Sequence, residues 1–135
     1  MSINIYYSIL VGEYAKKHYI KPFNKKYKTV WWKTFETIEN MLSRIDAFSK
    51  TSKVNKIHIC DSWYIAKCEF NIEWMRISTK ASWNRLIVYV NEINNEVTIL
   101  LVYSKNNVSW NNETVWWENE IKNNYKNISN LFTWL

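Results

Sequence analysis

The repeat of apolar residues changes period partway along the chain, and this change restricts the fold more than any other feature. Between residues 31 and 48, Trp31, Trp32, Phe35, Ile38, Met41, Leu42, Ile45 and Phe48 recur every three or four positions, with Lys33, Glu36, Glu39 and Arg44 between them. That spacing gathers the apolar groups on one side of a helix and predicts an amphipathic helix of several turns. From residue 56 the period is two. Tyr64, Ala66, Cys68, Phe70 and Ile72 would share one strand face, with Lys67 and Glu69 on the other. Residues 85–92 and 96–104 are two strongly apolar strands. Asn94-Asn95 between them suits the positive φ angles of a tight hairpin. Apolar residues on both faces predict central strands covered by helices.

The flanking segments complete the outline. Residues 3–9 (INIYYSI) are β-branched and aromatic and predict a first strand. Residues 13–28 predict a basic amphipathic helix with Tyr19, Phe23 and Tyr27 on one side, kinked or restarted at Pro22. Residues 49–55 are a polar loop. A last helix starts near Asn112 as N-cap, has Glu113 in its first turn, and carries the stripe Trp117, Ile121, Tyr125 and Ile128. The aromatics of both amphipathic helices are assigned to the core, and the tail LFTWL docks on the domain or on a partner. Helices segregated from an antiparallel meander predict the α+β class. With 135 residues and no Gly/Ser/Pro-rich linker, one domain spanning 1–135 is expected.

The residue inventory removes several chemistries. Gly occurs once, at position 12, so a phosphate-cradling P-loop or a GxGxxG turn cannot be built. Asp occurs only at 46 and 61, which leaves no carboxylate set for a metal-dependent nuclease of the restriction type. His18 and His58 are isolated, and Cys60 and Cys68 fit neither a zinc spacing nor a CxxC. An enzyme of this composition is expected to work without metal or cofactor. No apolar run approaches the ~18 residues of a membrane helix, and no signal peptide is visible, so a cytoplasmic protein is expected. The formal charge of +6 favours a polyanionic partner through phosphate contacts. Codon bias in an AT-rich genome is a competing source of the lysines.

Residues 63–125 carry a more specific signal. In order they read WYIAKCEF (63–70), STKASWNRLIVYV (78–90), VTILLVYSKNN (97–107) and ETVWWENEIKNNY (113–125). A basic strand is followed by an Asn-Arg opening an apolar strand, an apolar strand leading into Tyr-x-Lys, and a closing helix. This series resembles the RelE/ParE superfamily of bacterial type II toxins, above all its RelE- and HigB-like branches. The two preceding helices look like the family's N-terminal helical hairpin. The resemblance implies a hairpin packed on a mainly antiparallel sheet of four to five strands with a C-terminal helix. It also implies a small basic endoribonuclease that cuts mRNA at the ribosome without metal and is held inactive by a cognate antitoxin. In-line attack by a 2′-hydroxyl builds negative charge on the phosphoryl oxygens, and fixed cations nearby lower that barrier. Trp83 stands where family members often carry Gly.

By resemblance, Arg85 takes the family's strand-opening arginine position and would clamp the phosphate or transition state, a role suited to a planar, permanently charged group. A strand-end ion pair with Glu69 or Glu92 is the structural alternative. Lys67 matches the basic strand residue and reads equally as a phosphate contact or a solvated lysine. Lys105 matches the terminal lysine, as phosphate contact or general acid, against a loop-capping role. Tyr103 could orient the nucleophile or stack on a base, or simply sit in the core. Arg76, Lys80 and Trp83 are candidate RNA contacts in the stretch before Arg85. Two rival readings remain: a non-enzymatic binder of the same fold, such as a gyrase inhibitor, and a nucleic-acid or protein adaptor.

Overall fold

The computed structural model describes residues 6–21, 25, 29–48, 54–70, 84–104 and 113–132. The chain begins with β1 (Ser8–Val11) and the helical turn α1 (Glu13–Ala15), which widens into a π-helical segment over Lys16–Ile20. The long helix α2 (Thr29–Ser43) and the short α3 (Ile45–Phe48) follow. Four strands come next: β2 (Val54–Ile59), β3 (Trp63–Phe70), β4 (Asn84–Asn91) and β5 (Glu96–Ser104). Helices α4 (Glu113–Asn124) and α5 (Lys126–Ser129) close the chain.

The five strands form one sheet in the order β1-β5-β4-β3-β2. From β2 to β5 every pairing is antiparallel, whereas β1 lies parallel to β5 with Ser8 opposite Glu96 and Val11 opposite Ile99. The meander follows from the sequence: strand segments consecutive in the chain pair with their neighbours, with short turns between β2 and β3 and between β4 and β5. The β4–β5 connection is a hairpin as expected, but its turn spans residues 92–95 and, of the two asparagines, Asn95 alone takes a positive φ. Asn95 adopts φ 55°, and the Asn91 side-chain oxygen accepts the amide hydrogens of Ile93 and Asn94 at 2.9 and 3.2 Å. Asn tolerates the left-handed conformation and makes such local turns at little cost.

The sheet is buried on both faces. On one side Tyr64, Ala66, Cys68 and Phe70 of β3 meet Leu86, Val88 and Val90 of β4 and Trp31, Ile38, Leu42 and Ile45 of the helices. On the other side Ile65, Ile87, Leu100, Leu101 and Tyr103 meet Trp117, Ile121 and Phe132. A bulge between Ile87 and Val88 in the β4–β5 ladder lets Leu100 and Leu101 both face this second core. An extra residue in one strand shifts the alternation by one.

Several expectations are corrected. The first strand is Ser8–Val11, later than the segment read from β-branched residues 3–9; Tyr6 and Tyr7 are outside it, and residues 1–5 lie outside the described residues. Tyr7 is instead drawn into the first core, its hydroxyl donating to Asp46 at 3.0 and 3.2 Å. The segment read as a loop over 49–55 ends in strand, since Val54 and Asn55 pair with Cys68 and Lys67. Trp32, assigned to the core with the helical aromatics, is 62% exposed. It follows Trp31 directly, about 100° further round the helix, which carries it past the edge of the buried face. The polar face of β3 is only half polar, because Ile65 shares it with Lys67 and Glu69 and is fully buried. Pro22, Phe23, Tyr27, Ile72 and Asn112 lie outside the described residues, as does the junction where the N-terminal hairpin would turn. The expected docking of the tail is seen at Phe132, which is buried against the second core.

Candidate functional site

Three strands bring the candidate residues into one row. In the register of the sheet, Glu69 of β3 lies opposite Arg85 of β4, and Arg85 lies opposite Tyr103 of β5. Lys67 faces Ile87, one pair further along the same face. Side chains at such diagonal positions stand roughly 7–8 Å apart at their base. Alternation explains the grouping. Residues 67 and 69, 85 and 87, and 101 and 103 all point to the side covered by α4.

The row is largely covered. Arg85 is 6% exposed and Tyr103 3%, while Lys67 and Glu69 are half-buried. The Arg85 Nε lies 3.9 Å from Glu69 Oε1, and its Nη1 donates to the Asn84 carbonyl at 3.0 Å. The strand-end ion pair weighed for Arg85 is therefore formed, with Glu69 as its partner. A buried guanidinium needs such company, because an unaccompanied charge costs several kcal/mol to bury (about 3–5 when one partner is removed). The Tyr103 hydroxyl donates to Glu113 Oε2 at 2.5 Å, and the Trp116 ring packs edge-on against Tyr103 at 4.9 Å.

Helix α4 is fastened over this face by its acidic residues. Glu113 accepts from Tyr103; Glu118 Oε1 lies 3.2 Å from His58 Nε2; Glu120 accepts from the Tyr14 hydroxyl at 2.6 Å. At its far end the Tyr125 hydroxyl donates to the Leu100 carbonyl at 2.8 Å and accepts from the Ala15 amide at 3.0 Å. Burial pushes the Tyr125 hydroxyl up to about 12, so it stays protonated and able to donate across the ordinary pH range. His58 also packs against Trp117 and Phe132, which ties β2 to the same helix.

Chemically, the row offers a fixed guanidinium, an ammonium beside it and a tyrosine hydroxyl held by a carboxylate. Such an arrangement suits binding of a phosphate or sulfate-like anion. Of the sequence-derived candidates, Arg85, Lys67 and Tyr103 are brought together. Lys105, Arg76, Lys80 and Trp83 lie outside the described residues. Glu113 is the member of the site that its sequence position did not reveal as a Tyr103 partner. Its reading as a first-turn helix acid was correct. The ten-residue separation from Tyr103 carries no periodic signal. Cys68, opposite Val54 and Leu86 in the ladder, is a free and fully buried thiol pushed up to about 12 by burial. It takes no part in the row. Among the described residues no group of three or more His, Cys, Asp or Glu could hold a metal ion, and no helix is long and apolar enough to cross a membrane.

Comparison with known proteins places this geometry. No protein-family model and no curated protein sequence matches the chain. Among solved structures, the crystal structure of the archaeal RelE-RelB complex from Pyrococcus horikoshii OT3 is similar at a TM-score of 0.54 and 13% identity. The match covers 76% of this chain and 98% of that one. An agreement of architecture without agreement of sequence is a statement about fold. The five-stranded sheet with its helices has a RelE-like fold.

Proposed function

We propose that the chain is the toxin of a bacterial type II toxin–antitoxin pair, acting as a metal-independent endoribonuclease on mRNA at the ribosome. The observation that supports it is the row of Arg85, Lys67 and Tyr103 on one face of a RelE-like sheet. In this reading Arg85, oriented by Glu69 and the Asn84 carbonyl, neutralises the phosphoryl oxygens as the 2′-hydroxyl attacks. Lys67 adds a second cation, and Lys105 contacts the phosphate or protonates the leaving oxygen. Tyr103 orients the nucleophile, while Arg76, Lys80 and Trp83 hold neighbouring nucleotides. A cognate antitoxin is the protein partner, the N-terminal helices form the family's hairpin, and the cytoplasm is the site of action.

A second reading is favoured by the burial of Arg85 and by the cover that Glu113 and Trp116 place over Tyr103. A site closed in this way also suits a non-enzymatic binder, such as a gyrase inhibitor, in which these groups hold the sheet together. Inducible expression in a bacterial host separates the two, with mRNA 5′ ends mapped after induction for the natural chain, Arg85→Ala and Lys67→Gln. Growth arrest with new cuts that vanish in folded Lys67→Gln and Arg85→Ala supports the nuclease. Arrest without cuts moves the reading to the binder. Soluble protein with no arrest overturns both.

A further inference from the structure

Seven of the eighteen basic residues, and none of the twelve acidic ones, lie between residues 14 and 35. The other eleven basic residues are offset by twelve acidic ones, so the rest of the chain is close to neutral. The positive excess thus belongs to one stretch of the sequence, and the Arg85 row contributes little to it. At that row Glu69 and Glu113 supply negative charge, and Glu120, bonded to Tyr14, is the acidic neighbour of the basic stretch.

Within the stretch, Lys16, Lys17, His18, Lys21 and Lys25 are exposed, as is Lys33 of α2. Among the described residues no carboxylate pairs with these lysines. Residues 16–20 are π-helical, a form that closes its turn at i+5. That wider turn sets Lys21 on the same side as Lys16. His18 stacks on Tyr14 with ring centroids 4.4 Å apart, and Tyr14 is anchored to Glu120. The cations are therefore presented from a fastened element. The Gly12 amide donates to Ile99, and Ala15 donates to Tyr125, which in turn holds Leu100. This places α1 beside β5 at Ile99 and Leu100, three to four strand residues (roughly 10–13 Å) from Tyr103.

We propose that the basic surface carrying Lys16, Lys17, His18, Lys21 and Lys25 is a docking surface for the phosphodiester backbone of a nucleic acid, separate from the Arg85 row. Clustered cations attract a polyanion over the Debye length and release its counterions on contact. The apolar sides of both helices are turned inward. Ala15 is buried and Ile20 packs on the first core, as do Trp31, Ile38 and Leu42 of α2. Among the described residues, the apolar side chains of these segments other than Trp32 pack inward and form no free apolar face of the kind an interfacial helix sinks into lipid. Trp32, exposed next to Lys33, offers a ring on which a base can stack. The inference does not depend on cleavage: a chain that binds here and cuts nothing fails the nuclease reading and satisfies this one.

The test is fluorescence anisotropy of the full chain with a short labelled oligouridine bearing 2′-O-methyl sugars, titrated across salt concentrations. Lys16→Gln/Lys21→Gln is compared with Lys56→Gln/Lys126→Gln, which removes the same charge from exposed lysines outside the stretch. Each phosphate contact on a single strand adds about 0.7 to the logarithmic salt slope. The first double variant should make the slope shallower by about 1.4 and weaken binding about 25-fold at about 0.1 M salt, while the second stays within about 3-fold. Circular dichroism verifies that both are folded. A DNA strand of equal length identifies the source of the phosphates: equal binding assigns the backbone alone, and tighter RNA binding adds sugar contacts. Equal losses in the two variants overturn the proposal, because attraction would then follow net charge. So would no binding at low salt, or binding to vesicles rich in phosphatidylserine without binding to either oligonucleotide.

Discussion

At the scale of single residues, burial decides which reactive groups are available. Cys60 is half-exposed near the Leu131 carbonyl, whereas Cys68 is fully buried and its thiol is pushed up to about 12. Only the thiolate is a nucleophile. Iodoacetamide at neutral pH should therefore label Cys60 in the folded protein and reach Cys68 only after denaturation, as mass spectrometry of peptides would show. Labelling of Cys68 in native protein would contradict the burial. Gly12 is equally sharp. A Cβ there would meet the Tyr125 hydroxyl oxygen at 2.5 Å and its ring carbons at 2.7 and 2.8 Å. Tyr125 cannot retreat without losing its bonds to Leu100 and Ala15. Gly12→Ala should cost about 1–3 kcal/mol in urea denaturation, the range for an overpacked site. Tyr125→Leu in the same chain should relieve part of it. Little of this was legible in the sequence, where Gly12 served only to exclude phosphate-binding loops. Neither it nor Tyr125 belongs to a pattern that links positions more than a hundred residues apart.

At the scale of elements, the sequence was most informative where period and length agreed. The strands at 84–91 and 96–104, their Asn turn and the Trp117 and Ile121 positions of α4 were readable, because each depends on neighbours within a few residues, although the helix read through Tyr125 breaks there. The parallel pairing of β1 was not, nor were the hydrogen bonds that fasten α4, since both join distant segments. The candidate row was half legible. The resemblance picked out Arg85, Lys67 and Tyr103, and alternation put Lys67 on the strand face opposite Tyr64 and Cys68, but the burial of Arg85 depends on a helix whose docking the sequence does not encode locally. Trp117 is the centre of that docking: it is fully buried among Ile65, Ile87, Leu101 and Ile121. Trp117→Ala should destabilise by about 3–5 kcal/mol. It should also unmask the Arg85 row, which limited proteolysis of α4 would detect as faster cleavage at a denaturant concentration where the rest remains folded.

At the scale of the molecule, protons and charge are unevenly distributed. Burial raises the hydroxyls of Tyr7 and Tyr64 beside Asp46, and that of Tyr125, above the ordinary tyrosine value of 10. In the unfolded chain these groups ionise near pH 10, while in the folded protein they remain neutral. Above pH 10 the unfolded state binds fewer protons than the native one, so stability is retained below that pH and lost as it rises. The urea midpoint should hold steady up to about pH 9.5 and fall through pH 12, and absorbance near 295 nm should show tyrosine ionisation accompanying unfolding. A flat midpoint across that range would mean these hydroxyls titrate normally.

The single parallel pair has a consequence for how the chain reaches this state. Strands β2 to β5 follow one another in sequence, so each pairs with its chain neighbour, but Ser8 must find Glu96 across most of the chain. Closing so long a loop costs entropy before any contact offsets it. That cost favours assembly of the meander first, which would leave one side of β5 open. Until the N-terminal segment arrives, Val97, Ile99 and their unsatisfied amides form an adhesive strand edge. The four residues of β1 act as a late-closing seal, and an early encounter with another copy at that edge would divert the chain into aggregates.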